Sequence, residues 1–174
     1  KRMNEVAALL DTALEGTGIE ILTPRYGLED PAALVQRFAN SRGGAVLLGA
    51  RTFWQGLDLP GDVLQAGVIE KLPFEVPTEL RKRRELRLRE SGADPFSRMS
   101  LGKMLLHLKQ MAGRLIRSET DVGVTVIVDA RTDRAYFRRL ADAFPRGTKI
   151  RAIRRHQLRS VLAEVDLGRG STSG

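Results

Sequence analysis

Gln110-Met-Ala-Gly-Arg-Leu-Ile-Arg117 closes a helical pattern, and a few residues on, Val122-Gly-Val-Thr-Val-Ile-Val128 is the strongest strand pattern in the chain. At helical pitch from 100 to 117, Leu101, Met104, Leu105, Leu108, Met111, Ala112, Leu115 and Ile116 fall on one side. Lys103, His107, Gln110, Arg114 and Arg117 line the other, at alternating steps of four and three. Asp and Glu are absent between Asp94 and Glu119, so these cations have no carboxylate neighbour within their own helix. An unneutralised basic stripe needs an anion from elsewhere, and a polyphosphate suits two forked guanidiniums. The pattern is equally compatible with cations drawn to the negative end of a helix, with an Arg117–Asp121 pair, or with a solvated face.

Outward from this pair of elements, helical and strand patterns keep alternating. An opening helix carries Met3, Val6, Leu9, Leu10 and Leu14, and residues 19–22 are a short strand. Asp30 caps a helix with Pro31 at its first position, which runs to about Asn40 and stops at Gly43-Gly44. Strands follow over 45–48 and 66–70, and a highly charged helix over 78–90. Beyond the 122–128 strand come a helix over about 133–143, a weak strand over 149–153 and a helix over about 156–165. Short apolar strands separated by helices imply an α/β fold, a mostly parallel sheet with helices on both faces.

The chain's 174 residues suit one domain with a real core, and 42% hydrophobic with 29% charged residues is ordinary for a globular protein. A net charge of +8 favours a polyanionic partner, nucleic acid before membrane. The apolar runs are too short to span a bilayer and nothing at the start reads as a signal peptide, so no membrane role and a cytoplasmic setting are expected. Without cysteine the segment supplies no disulfide, thiolate nucleophile or cysteine-bound zinc or cluster. Two histidines are too few for a histidine-based metal site, and no metal ligands are assigned. Lys1 leads straight into a helix, as in a segment of a longer polypeptide. We expect residues 1–167 to be the folded domain and 168–174 a disordered tail or expression remnant.

After the 45–48 strand comes Arg51-Thr52-Phe53-Trp54-Gln55-Gly56-Leu57-Asp58-Leu59-Pro60-Gly61. In an open parallel sheet, ligands bind where loops leave the carboxyl ends of strands. This loop combines glycines that let backbone come close, one carboxylate, one cation and the only tryptophan of the chain. Its aromatics suit either a core position or stacking on a base, and Asp58 suits either a ligand contact or a turn cap.

The run Phe53-Trp54-Gln55-Gly56-Leu57-Asp58-Leu59-Pro60-Gly61, then Val68-Ile69-Glu70-Lys71-Leu72-Pro73-Phe74, then Gln110-x-x-Gly113-Arg114-x-Ile116-Arg117 resembles one family. It is the DinG/XPD-like branch of superfamily 2 DNA helicases, and the resemblance is to the second, C-terminal RecA-like motor domain. Asp121-x-Gly123 and the strand leading to Asp129-Ala-Arg131 are similar too, so the likeness covers roughly 19–145. Motif V corresponds to about 51–61 and motif VI to 110–117.

The resemblance implies a motor of two RecA-like domains with ATP between them. The phosphate loop and the acidic Mg²⁺ motif belong to the first domain; this chain has neither, so ATP and Mg²⁺ are held mainly there. Arg114 and Arg117 are then the catalytic cations that reach the γ-phosphate, one as an arginine finger, and Gln110 orients a phosphate oxygen or the attacking water. Gly113 contacts the nucleotide, and Gly56 and Asp58 contact it or relay its state to the DNA side of motif V. Arg51, Thr52, Phe53, Trp54 and Lys71 contact single-stranded DNA. The implied partners are single-stranded DNA and the first motor domain of the same polypeptide, and translocation runs 5′ to 3′ in repair or replication. An iron–sulfur cluster, where the family has one, lies outside this segment. Two departures stand out: Gln55 replaces the usual Glu, and the first strand of the domain is missing before Lys1.

Two further basic stretches stand outside these motifs. Arg81 to Arg84, Arg87 and Arg89 have Glu79, Glu85 and Glu90 within helical reach and read as a partly self-paired, solvated face. Arg146, Lys149, Arg151, Arg154, Arg155 and Arg159 have no acid among them, which suits DNA-backbone contact or a sheet edge protected by charge. The rival to the motor is a non-catalytic nucleic-acid-binding or partner-binding module on the same fold.

Overall fold

A computed structural model of the chain describes residues 2–24, 30–50, 59, 63–115, 122–128 and 133–165. Two compact units, Lys1–Val63 and Leu64–Gly174, are each built on a pair of parallel strands.

In the first unit, α1 (Arg2–Ala13) precedes β1 (Glu20–Leu22), and α2 (Pro31–Ala39) crosses to β2 (Ala45–Leu47). The strands pair with Leu22 opposite Leu47. The start of α2 follows from its cap: the Asp30 carboxylate accepts the Ala32 N–H at 3.0 Å, and Pro31 has no N–H to leave unpaired. Leu22, Leu34 and Leu47 form the buried centre, with Val35, Phe38 and Ala45 against them. Gly43 is required by close approach, because a Cβ there would lie 2.5 Å from the Gly18 carbonyl oxygen.

In the second unit, β3 (Ala66–Ile69) pairs with β4 (Val124–Ile127), with Ala66 opposite Val124. Between them the chain forms α3 (Glu79–Glu90), a π-helical turn (Phe96–Leu101) and α4 (Gly102–Ala112). Thr78 Oγ1 caps α3 by accepting the Arg81 N–H at 3.3 Å. Asp94 starts the next helical stretch earlier than residue 100, where its periodicity begins. Its carboxylate accepts the N–H groups of Phe96 and Ser97, each at 3.1 Å, and the Ser97 hydroxyl at 2.6 Å. Those hydrogen bonds, the Ser97 hydroxyl foremost, hold the Asp94 carboxyl below its ordinary pKa.

The apolar face of α4 lies where the periodicity put it. Leu101, Met104 and Leu108 pack with Ile69, Leu72, Tyr136, Leu140 and Ala143. Residues Ala135–Ala143 form a 3₁₀ helix rather than an α-helix, yet Tyr136 and Leu140 still reach the core. The rings of Phe74, Phe96 and Tyr136 meet at centroid distances of 5.5–5.8 Å.

The 149–153 strand does not form. These residues make no ladder, Ile150 is 53% exposed, and Arg151 is tied instead to Glu164 at 2.6 Å. A strand needs an edge to pair with, and alternation alone supplies none. A 3₁₀ turn (Arg155–Gln157) and α5 (Leu158–Ala163) follow.

Candidate functional site

The basic helix ends sooner than its periodicity suggests. Its α-helical hydrogen bonding stops at Ala112, and Gly113 is the C-cap, its N–H bonded to the Lys109 carbonyl at 2.9 Å. Glycine is a weak helix former, and a Cβ at this position would crowd the Lys109 oxygen at 3.2 Å. Arg114 and Leu115 therefore lie in a tight turn, with N–H groups bonded to Met111 and Ala112 carbonyls at 3.2 and 3.0 Å. Gln110 is exposed on the last helical turn. Arg114 is half-buried and has an interaction partner within the chain. Arg117 lies outside the described residues, so its place on the helical stripe stays a matter of spacing.

Leu115 determines where this turn sits. Its side chain is buried in a slot whose walls are glycine: a Cβ on Gly67 of β3 would come within 3.0 Å of Leu115 Cδ1, and one on Gly123 within 3.2 Å of Cδ2. Both glycines are needed to let the leucine approach the backbone of the two strands. Sequence reasoning missed this contact, although glycine within each strand pattern is the usual sign of close approach. Because Gly67 is the second residue of β3 and Gly123 precedes β4, the Arg114 turn lies at the amino ends of these strands.

Lys71 lies at the other end. It is exposed just past the carboxyl end of β3, and from Gly67 to Lys71 the strand rise separates the two ends by about 13 Å. α4 runs antiparallel to the strands and spans the distance. At its amino-terminal half, Lys103 Nζ meets Glu75 Oε2 at 3.2 Å, and His107 Nδ1 lies 3.4 Å from the Pro73 carbonyl oxygen. Arg81 joins the same carboxylate at 2.8 Å, and also reaches Glu85 at 3.1 Å and the Ser100 hydroxyl at 2.6 Å.

This network corrects the expectation of an unneutralised stripe. Glu75 stands 28 residues before Lys103, so no count of acids along the helix could include it. The hydrogen bond from Lys103 is the main cause of a Glu75 pKa below the ordinary carboxylate value; the nearby Arg81 and His107 act in the same direction. Lys103 is thus a structural cation, held by its own fold. The α3 face behaves as expected in part: Arg81–Glu85 and Lys82–Glu79 pair along the helix, but Arg81 also has its second, cross-element role.

Of the residues assigned to ligands from sequence, Gln110, Gly113 and Arg114 stand together at one end of β3–β4, and Lys71 at the opposite end. Arg51, Thr52, Phe53, Trp54, Gly56 and Asp58 lie outside the described residues. No group of three or more His, Asp or Glu side chains able to hold a metal ion occurs among the described residues. Nor is any helix among them long and apolar enough to cross a membrane.

Comparison with known proteins gives the family of the chain. The family of helicase C-terminal domains matches residues 1–147. Over 134 residues, 76% of the chain, it is 37% identical to the 3′-5′ exonuclease DinG of Bacillus subtilis, covering 14% of that protein. It is 44% identical over 99 residues to the ATP-dependent DNA helicase YoaA of Escherichia coli, 56% of the chain and 15% of the relative. A probable ATP-dependent helicase of Methanocaldococcus jannaschii is 35% identical over 129 residues, 69% of the chain and 20% of the relative. The chain thus spans a fifth or less of each of these relatives. With that match over most of its length and parallel strands joined by helices, the chain belongs to the helicase C-terminal domain family, in the DinG-like branch of the superfamily 2 helicases.

Proposed function

We propose that this chain is the second motor domain of an ATP-dependent DNA helicase that moves 5′ to 3′ on single-stranded DNA in repair or replication. Residues 1–167 are the RecA-like domain and 168–174 a tail. One observation carries this assignment: Gln110, Gly113 and Arg114 are gathered at the end of α4, in a turn locked onto the strands by Leu115.

ATP bound by the first motor domain presents its γ-phosphate to this turn. Arg114 and Arg117 meet the phosphate oxygens, and one of them stabilises the charge that develops as the phosphoryl group transfers. Gln110 holds the attacking water or a phosphate oxygen, and Gly56, Asp58 and Gly113 border the nucleotide. Lys71, at the far end of the strands, holds the DNA strand, and Arg51, Thr52, Phe53 and Trp54 have the same role. Closure on ATP and opening after hydrolysis then shift the two domains along the strand. Mg²⁺ belongs with the acidic motif of the first domain. Such a motor works in the cytoplasm, where its DNA is.

In the intact polypeptide, Arg117→Ala is expected to leave strand binding in place while lowering DNA-stimulated ATP hydrolysis by about 10³-fold or more, the worth of an arginine finger. Undiminished hydrolysis rules that role out. Polarity is read with tailed duplexes: a 5′ single-stranded tail supports unwinding and a 3′ tail does not. Unwinding from the 3′ tail alone reverses the assigned direction.

A further inference from the structure

The segment beyond the family match concentrates much of the chain's charge. Residues 146–165 hold six cations, Arg146, Lys149, Arg151, Arg154, Arg155 and Arg159, against the single carboxylate of Glu164, so this short stretch carries +5 of the chain's net +8. The helicase C-terminal match ends at residue 147. Residues 146–157 are exposed at every position, and from 149 to 154 the chain belongs to neither helix nor strand. Among the six, Arg151 alone has an ion pair, to Glu164. Among the described residues the other five cations have no ion pair, and they lie close together along the chain. Like charges gathered at this density repel one another, which a polyanion relieves.

We infer that residues 146–159 are a second, sequence-independent contact for the phosphate backbone of single-stranded nucleic acid, separate from the motif V loop. Arginine forks hold phosphate oxygens in pairs, and an exposed stretch outside the sheet can follow a flexible strand. An anionic membrane is the poorer match. Membrane-surface binding relies on an amphipathic helix with an apolar face to bury, whereas α5 has six residues and none of them buried. This inference rests on the DNA-motor assignment proposed above and adds a contact to it.

Binding of a fluorescent thirty-nucleotide oligo-dT by the full polypeptide, followed by anisotropy across a salt series, tests it. Removing three phosphate contacts with Arg154→Ala, Arg155→Ala and Arg159→Ala together should flatten the slope of log K against log[salt] by about 2. The charge-matched control is Arg83→Ala, Arg84→Ala and Arg87→Ala on α3, which lowers net charge equally and should leave the slope within about 0.5 of wild type. All six side chains are exposed, so both variants should keep the wild-type urea midpoint. Equal slopes for the two triple variants overturn the inference, and so does binding to phosphatidylserine vesicles without binding to oligo-dT. Wild-type protein that neither binds oligo-dT nor hydrolyses ATP overturns instead the motor assignment beneath it.

Discussion

At Leu115 one methyl group decides whether the Arg114 turn can sit where it does. The slot admits a leucine only because Gly67 and Gly123 have no side chains. Gly67→Ala should therefore cost about 1–3 kcal/mol in urea denaturation, the usual range for overpacking. Leu115→Val in the same background should recover part of the loss, since it withdraws the atom nearest the new methyl. Strictly additive losses in the double variant would show that the two positions do not press on each other. In the intact motor, Gly67→Ala should also lower the rate of ATP hydrolysis more than it raises KM for ATP, because it moves a turn rather than deleting a ligand. Spacing put Arg114 on the basic stripe; the leucine between Arg114 and Arg117 read as one more apolar position. Its partners lie 48 residues upstream and eight downstream in sequence, and nothing in helical periodicity names them.

Among the elements, α4 joins the two ends of the β3–β4 pair. One end is held by Glu75 and Pro73 through Lys103 and His107, and the other by Leu115. Glu75 also sets a pH dependence. Its folded pKa lies below the ordinary 4.5, so the stabilisation it supplies is present in full above about pH 4.5 and is lost as pH falls through the lower, folded value. The wild-type Tm should accordingly drop more steeply on acidification from pH 5 to pH 3 than that of Glu75→Gln, which should already melt lower at pH 7. Parallel curves would mean that the ion pair contributes nothing on balance. Caps offer a simpler check. Asp30→Ala should destabilise the first unit by about 1 kcal/mol, measured by chemical denaturation, as expected when an N-cap acceptor is lost. The α2 cap, its Pro31 start and its Asn40 end were all readable from local residue chemistry. The 149–153 strand was not, because its formation depends on an edge that the fold does not bring to it.

For the whole molecule, ATP turnover needs a phosphate loop that these 174 residues do not contain. The purified chain alone is expected to release no phosphate from ATP with or without DNA, in an assay where the intact polypeptide does; measurable turnover by the chain itself would contradict the assignment of motor roles. The sequence by itself determined the alternation of helices and short strands, the buried face of α4, the Asp30 cap of α2 and the family-bearing runs. Each of these depends on neighbours within a few turns or on the spacing of residue types, and such information is local. The tertiary structure alone decided that Lys103 is neutralised by Glu75 and that Leu115 is held between two strand glycines. Those outcomes depend on which distant segments are packed together in three dimensions, and charge counts or periodicities along one segment carry no record of that.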